Sequence, residues 1–120
     1  MGQELLKAMQ DEGADFTNTF RALSEDGTAV LGHVPEAGEW LSRWEAAGPD
    51  RAVMARANPA VIPRNHRIEQ AIAAALEGDL TAFERLMQVL ATPFTLAEAD
   101  AEYANPPAEG ERVLATFCGT

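Results

Sequence analysis

Apolar residues recur along this chain mainly at helical spacing. Near the N-terminus Leu5, Leu6 and Met9 share one face, and Gly13 stands where that helix needs a left-handed stop. Asp15 is placed to N-cap a second helix carrying Phe16, Phe20 and Leu23 on one side. Gly27, Gly32 and Pro35 interrupt the following stretch, SEDGTAVLGHVPEAG, which reads as a loop with room for a short isolated strand at 29–31. A third helix opens near Pro35 and carries Trp40, Leu41 and Trp44 to Gly48-Pro49. Trp40 and Trp44 lie one helical turn apart, which suits core packing better than a base-stacking platform.

Asp50 fits the cap of a short helix from Arg51 to about Ala57, which Asn58-Pro59 ends. Pro59 and Pro63 keep the next segment extended or turned. From Asn65 the pattern is strongly helical: Ile68, Ala71, Ile72, Ala75 and Leu76 fall at i, i+3, i+4, i+7 and i+8, and Gly78 offers a stop. Thr81 and Glu84 fit a capping box, with Phe83, Leu86, Met87 and Leu90 on the next stripe until Pro93. These last two helices predict an αα-hairpin, and the alanines at 71, 74 and 75 permit close approach. Beyond Pro93 an Ala/Glu/Pro-rich stretch wraps a surface. The fold class is all-α, a helical domain over 1–104 followed by a Pro-containing linker and extended tail over 105–120. Its expected core comprises Phe16, Phe20, Trp40, Trp44, Ile72, Leu76, Phe83, Leu86 and Leu90. A buried carboxylate in place of Ile72 is therefore expected to be severely destabilising.

A length of 120 residues suits one domain able to bury a core, and 47% hydrophobic residues separate it from disordered chains. The longest apolar run, Ala71 to Leu76, is too short for a membrane span, and the start has no signal-peptide order. Nineteen acidic against nine basic residues give a net charge of −10, which repels phosphate backbones and anionic lipid. Nucleic acid and membranes are thus poor partners. One cysteine excludes an internal disulfide framework and fits a reducing compartment, the cytoplasm.

Candidate chemistry is sparse. Asp15-Phe16-Thr17 lacks the glycine of a kinase metal motif, and there is no glycine-rich phosphate loop. His33 and His66 have no helical partner for zinc, so no metal site is expected. Glu98, Asp100 and Glu102 lack cation-loop spacing and read as a solvated acidic face. Arg64, Asn65 and Arg67 open the strongest helix, where arginines beside a helix N-terminus can hold an anion or contact another domain. The plainer reading is that Asn65 caps the helix while Arg64 pairs with a carboxylate. Cys118, the lone thiol, stands third from the end behind Pro106-Pro107. Its position supplies reach for thiolate chemistry, or it belongs to an inert tail.

Taken together, NPAVIPRNHRIEQAI, the helix GDLTAFERL, the linker EYANPP and the ending TFCGT resemble the C-terminal portion of the selenoprotein O family. ADFTNTFRAL and the paired tryptophans fit the same region, and the resemblance spans nearly the whole chain. It implies a kinase-like protein adenylyltransferase that moves AMP from ATP, with Mg or Mn, onto protein Ser, Thr or Tyr hydroxyls. The nucleotide-binding and catalytic residues of that family lie upstream, so none is carried onto this sequence and these residues alone are expected to be inactive. Cys118 falls where some members have selenocysteine; by resemblance it is redox-regulatory and pairs with a cysteine of the kinase-like body. The implied setting is the cytoplasm of a bacterium. The implied partners are that body and, through it, protein substrates; exposed apolar surface predicts a dimer or concentration-dependent oligomer. A free-standing helical interaction module is the alternative, and a small thiol enzyme using Cys118 a third.

Overall fold

The structure, a computed structural model, describes residues 2–25 and 35–114. The strand expected at 29–31, His33 and Cys118 lie outside these residues. All regular structure among the described residues is helical: α1 (Gly2–Glu12), α2 (Phe16–Glu25), α3 (Pro35–Ala46), α4 (Arg51–Ala57), α5 (Asn65–Leu76) and α6 (Thr81–Ala91). Two short 3-10 helices follow, Glu98–Ala104 and Glu109–Glu111. The fold class is therefore all-α. Two compact units divide the chain, Met1–Ala60 and Val61–Thr120.

In the first unit, Gly13 adopts φ 66° and ends α1 in a Schellman-type turn, with the Ala14 N–H donating to the Met9 carbonyl at 2.8 Å. Asp15 caps α2 by accepting the Asn18 N–H at 2.9 Å, and Asp50 caps α4 by accepting the Val53 N–H at 3.1 Å. Both caps sit where the residue pattern predicts them. Helix α1 packs on α3 and α2 on α4, burying Leu5, Met9, Leu23, Ala37, Trp40 and Leu41. The Trp40 and Trp44 rings stack with centroids 6.0 Å apart, Trp40 buried and Trp44 half-buried. Arg51 lies over the Trp44 ring at 5.3 Å and pairs with Glu45. At the end of α4, Arg21 Nη1 donates to the carbonyls of Asn58 at 3.0 Å and Ala55 at 3.3 Å.

The second unit is the αα-hairpin of α5 and α6 with the 3-10 segments beside it. Gly78 at φ 89° ends α5, and Asp79 N–H donates back to the Ala74 carbonyl at 2.9 Å. The expected capping box at Thr81 does not form. Asp79 instead accepts the Thr81 N–H at 2.9 Å; the Thr81 hydroxyl first and this N–H second pull its carboxyl below the usual carboxylate range. Asn65 is likewise the first helical residue of α5 and not its cap; Arg64 holds the N-cap position in extended backbone. Val61 is buried, and its N–H donates to the Pro93 carbonyl at 3.2 Å, tying the chain before α5 to the chain after α6.

The expected core needs correction. Trp40 and Leu86 are buried and Phe20, Trp44 and Leu90 half-buried, but Phe16 (63%), Ile72 (49%), Leu76 (85%) and Phe83 (48%) are exposed. Helical periodicity correctly put Ile72 and Phe83 on the stripes of the hairpin. Those stripes face each other across an open apolar groove of about 300 Å³, lined by α5, α6 and Pro63. In this chain Ile72→Asp therefore leaves its carboxylate in reach of water and costs about 1 kcal/mol or less. Leu23→Ala, at 2% exposure, empties a closed core and costs about 2–5 kcal/mol. Chemical denaturation followed by circular dichroism ranks the two, and the larger loss is expected for Leu23→Ala.

Candidate functional site

Arginines at the start of α5 face the end of a short helix. The 3-10 helix Glu98–Ala104 ends with the Asn105 N–H donating to the Glu102 carbonyl at 3.1 Å, and a carbonyl has a second lone pair to offer. Arg64 Nη2 donates to the Ala104 carbonyl at 3.1 Å, and Arg67 Nη2 donates to the Glu102 carbonyl at 3.2 Å. Cationic donors at a helix C-terminus also complement its negative dipole end. Arg67 lies 5.6 Å from the Tyr103 ring centroid, so the same guanidinium grips a side chain and a backbone. Arg64 is buried in this contact, whereas Asn65 is exposed.

A second tether runs further along. Arg67 Nη1 donates to Gln70 Oε1 at 3.1 Å, and Gln70 Nε2 donates to Glu111 Oε2 at 2.8 Å. The other Glu111 oxygen accepts the Ala108 N–H at 3.1 Å, closing the 3-10 turn Glu109–Glu111. These two bonds, the Ala108 N–H first, hold the Glu111 carboxyl below its ordinary range. On the opposite flank Arg85 of α6 binds Asp100 through Nε at 2.9 Å and through Nη2. Asp100 is buried, so the solvated acidic face expected of Glu98, Asp100 and Glu102 holds only for Glu98 and Glu102. The segment from Glu98 to Glu111 is thereby strapped onto the hairpin from both helices.

Between strap and helix lies a cavity of about 300 Å³ lined by Ile62, Pro63, Arg64, Asn65, His66, Pro107, Arg112 and Val113. Arg112, distant in sequence, joins Arg64 here, although the arginines look scattered along the chain. His66 is 3% exposed, and its Nε2 has no hydrogen-bond partner among the described residues. Burial is the main cause pulling its pKa below the ordinary imidazole value; Arg67 and Arg64 act in the same direction and Glu111 opposes them.

Residue reasoning found Arg64 and Arg67 but missed Arg85, Asp100, His66, Gln70 and Arg112. No local spacing signals them, because each acts across a long stretch of chain. Among the described residues no three His, Cys, Asp or Glu side chains gather as a metal site, and no helix is long and apolar enough to cross a membrane. Arg64 and Arg67 spend donors on backbone carbonyls. Arg64 and Arg67 thus act as a clamp on the 3-10 helix Glu98–Ala104.

Comparison with known proteins finds relatives of one kind. Protein nucleotidyltransferase YdiU of Ruegeria sp. (strain TM1040) is 55% identical over 124 residues, covering 98% of this chain and 26% of that protein. The YdiU protein of Rhizobium leguminosarum bv. trifolii is 49% identical over 136 residues, and that of Bacillus mycoides 42% over 129, each covering 98% of this chain. The chain spans about a quarter of the length of these relatives. No family model matches it, and no solved structure does so significantly. The relatives are protein nucleotidyltransferases, and the matched region is their C-terminal part. These 120 residues belong with the C-terminal region of the selenoprotein O family.

Burial of His66 makes stability pH-dependent. Its folded pKa is below the unfolded value near 6.5, so the unfolded chain takes up the proton first and stability falls as pH drops through that value. The loss stops below the folded pKa. Denaturation midpoints measured across this window should slope in the native chain and slope less in His66→Gln.

Proposed function

We propose that this chain serves as the C-terminal helical region of a protein nucleotidyltransferase, bracing the enzyme while chemistry takes place in the part outside these residues. The observation that carries this reading is near-complete coverage of the chain, at 55% identity, by the C-terminal quarter of such an enzyme. The parent transfers AMP from ATP, with Mg or Mn, to Ser, Thr or Tyr hydroxyls of protein substrates. In that division of labour residues 1–104 form the helical body, and residues 105–120 form a linker and a tail bearing Cys118. The setting is the bacterial cytoplasm, and the direct partner is the kinase-like remainder of the enzyme. Isolated at high concentration, the chain self-associates through its exposed apolar surface.

Cys118 is the redox control in this reading. Its thiol and a cysteine thiol of the remainder each lose a proton and together give two electrons to an oxidant of the peroxide class, forming one disulfide. A thiol reductant reverses the step. Gln70 of α5 holds Glu111, seven residues before Cys118, at the base of that tail. Arg64, Asn65 and Arg67 contribute as contacts at the base of that tail.

The test joins this chain to the Ruegeria relative in place of the matched region. With labelled ATP, divalent metal and a protein acceptor, the joined protein should label the acceptor and the isolated chain should not. Peroxide should alter the rate reversibly, and Cys118→Ser should remove that response. Label transfer by the isolated chain would overturn the proposal.

A further inference from the structure

The groove between α5 and α6 is built of side chains that ordinarily close a core. Ile68, Ile72 and Ala75 line it from α5; Phe83, Met87 and Leu90 line it from α6. Ile72, Phe83 and Met87 each keep roughly half of their surface in water, and Leu76 and Leu80 extend the patch to the hairpin tip. A contiguous apolar surface of this kind marks an interaction site. At the hairpin turn Gly78 is left-handed and Asp79 accepts the Thr81 N–H. The tip itself is acidic, carrying Glu77, Asp79 and Glu84.

We infer that this groove docks the remainder of the longer nucleotidyltransferase chain, through one amphipathic segment with an apolar face and basic flanks. The inference rests on the functional reading above and adds the surface by which the two parts meet. Three observations select that occupant. Relatives carry about three quarters of their length outside the matched region, enough chain to supply a covering segment. The groove's lining side chains are all apolar, which suits a permanent contact within one folded protein better than a transient one. The acidic tip selects basic flanks on that segment. Binding follows the helix-in-groove mode, with side chains at i, i+3 or i+4 and i+7 filling the space between the two helices.

Thiol labelling tests the proposal. In a Cys118→Ser background, Ile72→Cys is placed in the groove and Ala73→Cys on exposed helix surface beside it, in both the isolated chain and the protein joined to the Ruegeria relative. Labelling is measured by peptide mass spectrometry at concentrations where each protein is monomeric. The groove cysteine should react about tenfold or more slowly in the joined protein than in the isolated chain, because reaction then requires opening of the dock. The Ala73→Cys rate should match in both, which shows that the joined protein is folded and accessible. Adding Phe83→Glu should return the groove rate to that of the isolated chain.

Equal groove rates in the two proteins would overturn the inference. So would protection already present in the monomeric isolated chain, which would assign the groove to another part of these residues. Protection of the joined protein only above its dimerisation concentration would assign the groove to a second copy and also overturn it. The AMP-transfer assay separates this from the functional reading: transfer with an unprotected groove sinks the dock alone, and protection without transfer sinks the activity alone.

Discussion

The guanidinium group is the fastener on which this structure depends. Its helices are short, and a short helix has a large share of its carbonyls unsatisfied at the C-terminal end. Arg21 closes α4, a seven-residue helix, by donating to the carbonyls of Ala55 and Asn58. Arg64 and Arg67 close the seven-residue 3-10 helix in the same way, through Ala104 and Glu102. Five donors in a fixed plane let one arginine reach two carbonyls, or a carbonyl and an amide, at once. A lysine would offer one point charge on a loose stem. A composition of eight arginines and one lysine fits this use.

Dependence on fasteners follows from size. Each compact unit spans 60 residues, a scale at which only about 60% of the unfolded chain's surface is removed from water. The first unit compensates with a closed cluster around Leu23 and Trp40. The second unit spends its largest apolar side chains on an open groove, leaving Val61, Ala71, Leu86 and Val89 as its buried apolar set. Its strap is therefore held by polar contacts at several points, with Arg64, Arg67, Gln70 and Arg85 each contributing one. Of these donors Arg64 is buried, and a hydrogen bond from such a charged group contributes about 1.5–3 kcal/mol. A strap held at several points needs no apolar face of its own.

This division explains what could be read from the residues alone. Helix positions were legible because glycines at φ 66° and 89° end α1 and α5 and because Asp15 and Asp50 are unambiguous caps. The 3-10 helix Glu98–Ala104 was not, since its support comes from arginines 35 and 40 residues away in sequence. The box at Thr81 gave way because Thr81 is the first helical residue of α6 and Leu80 its N-cap, while Asp79 accepts the Thr81 N–H two residues on, a bond as local as the box. The misassigned core has a different origin. Periodicity tells which residues share a face, and Ile72 and Phe83 do share one; it carries no information on what covers that face. The clamp was half legible, with Arg64 and Arg67 visible beside a helix start and Arg112, Arg85 and Asp100 hidden by sequence distance.

Helix α5 shows how one short element serves both surfaces. Arg64 at its cap, Arg67 and Gln70 recur every three residues and hold the strap, while Ile68, Ile72 and Ala75 recur at four and three and line the groove. At 3.6 residues per turn these two rows lie on adjacent faces of the same cylinder. The clamp rests on directional bonds at the helix N-terminal half, and the groove on non-directional apolar area nearer its C-terminal half. A rigid helix joins them without requiring either to deform. Covering the groove would add apolar burial to α5 and so stiffen the element from which the strap hangs. Strap and groove are separate in chemistry but share one backbone, and the hairpin's alanines at 71, 74 and 75 keep α6 close enough to support it.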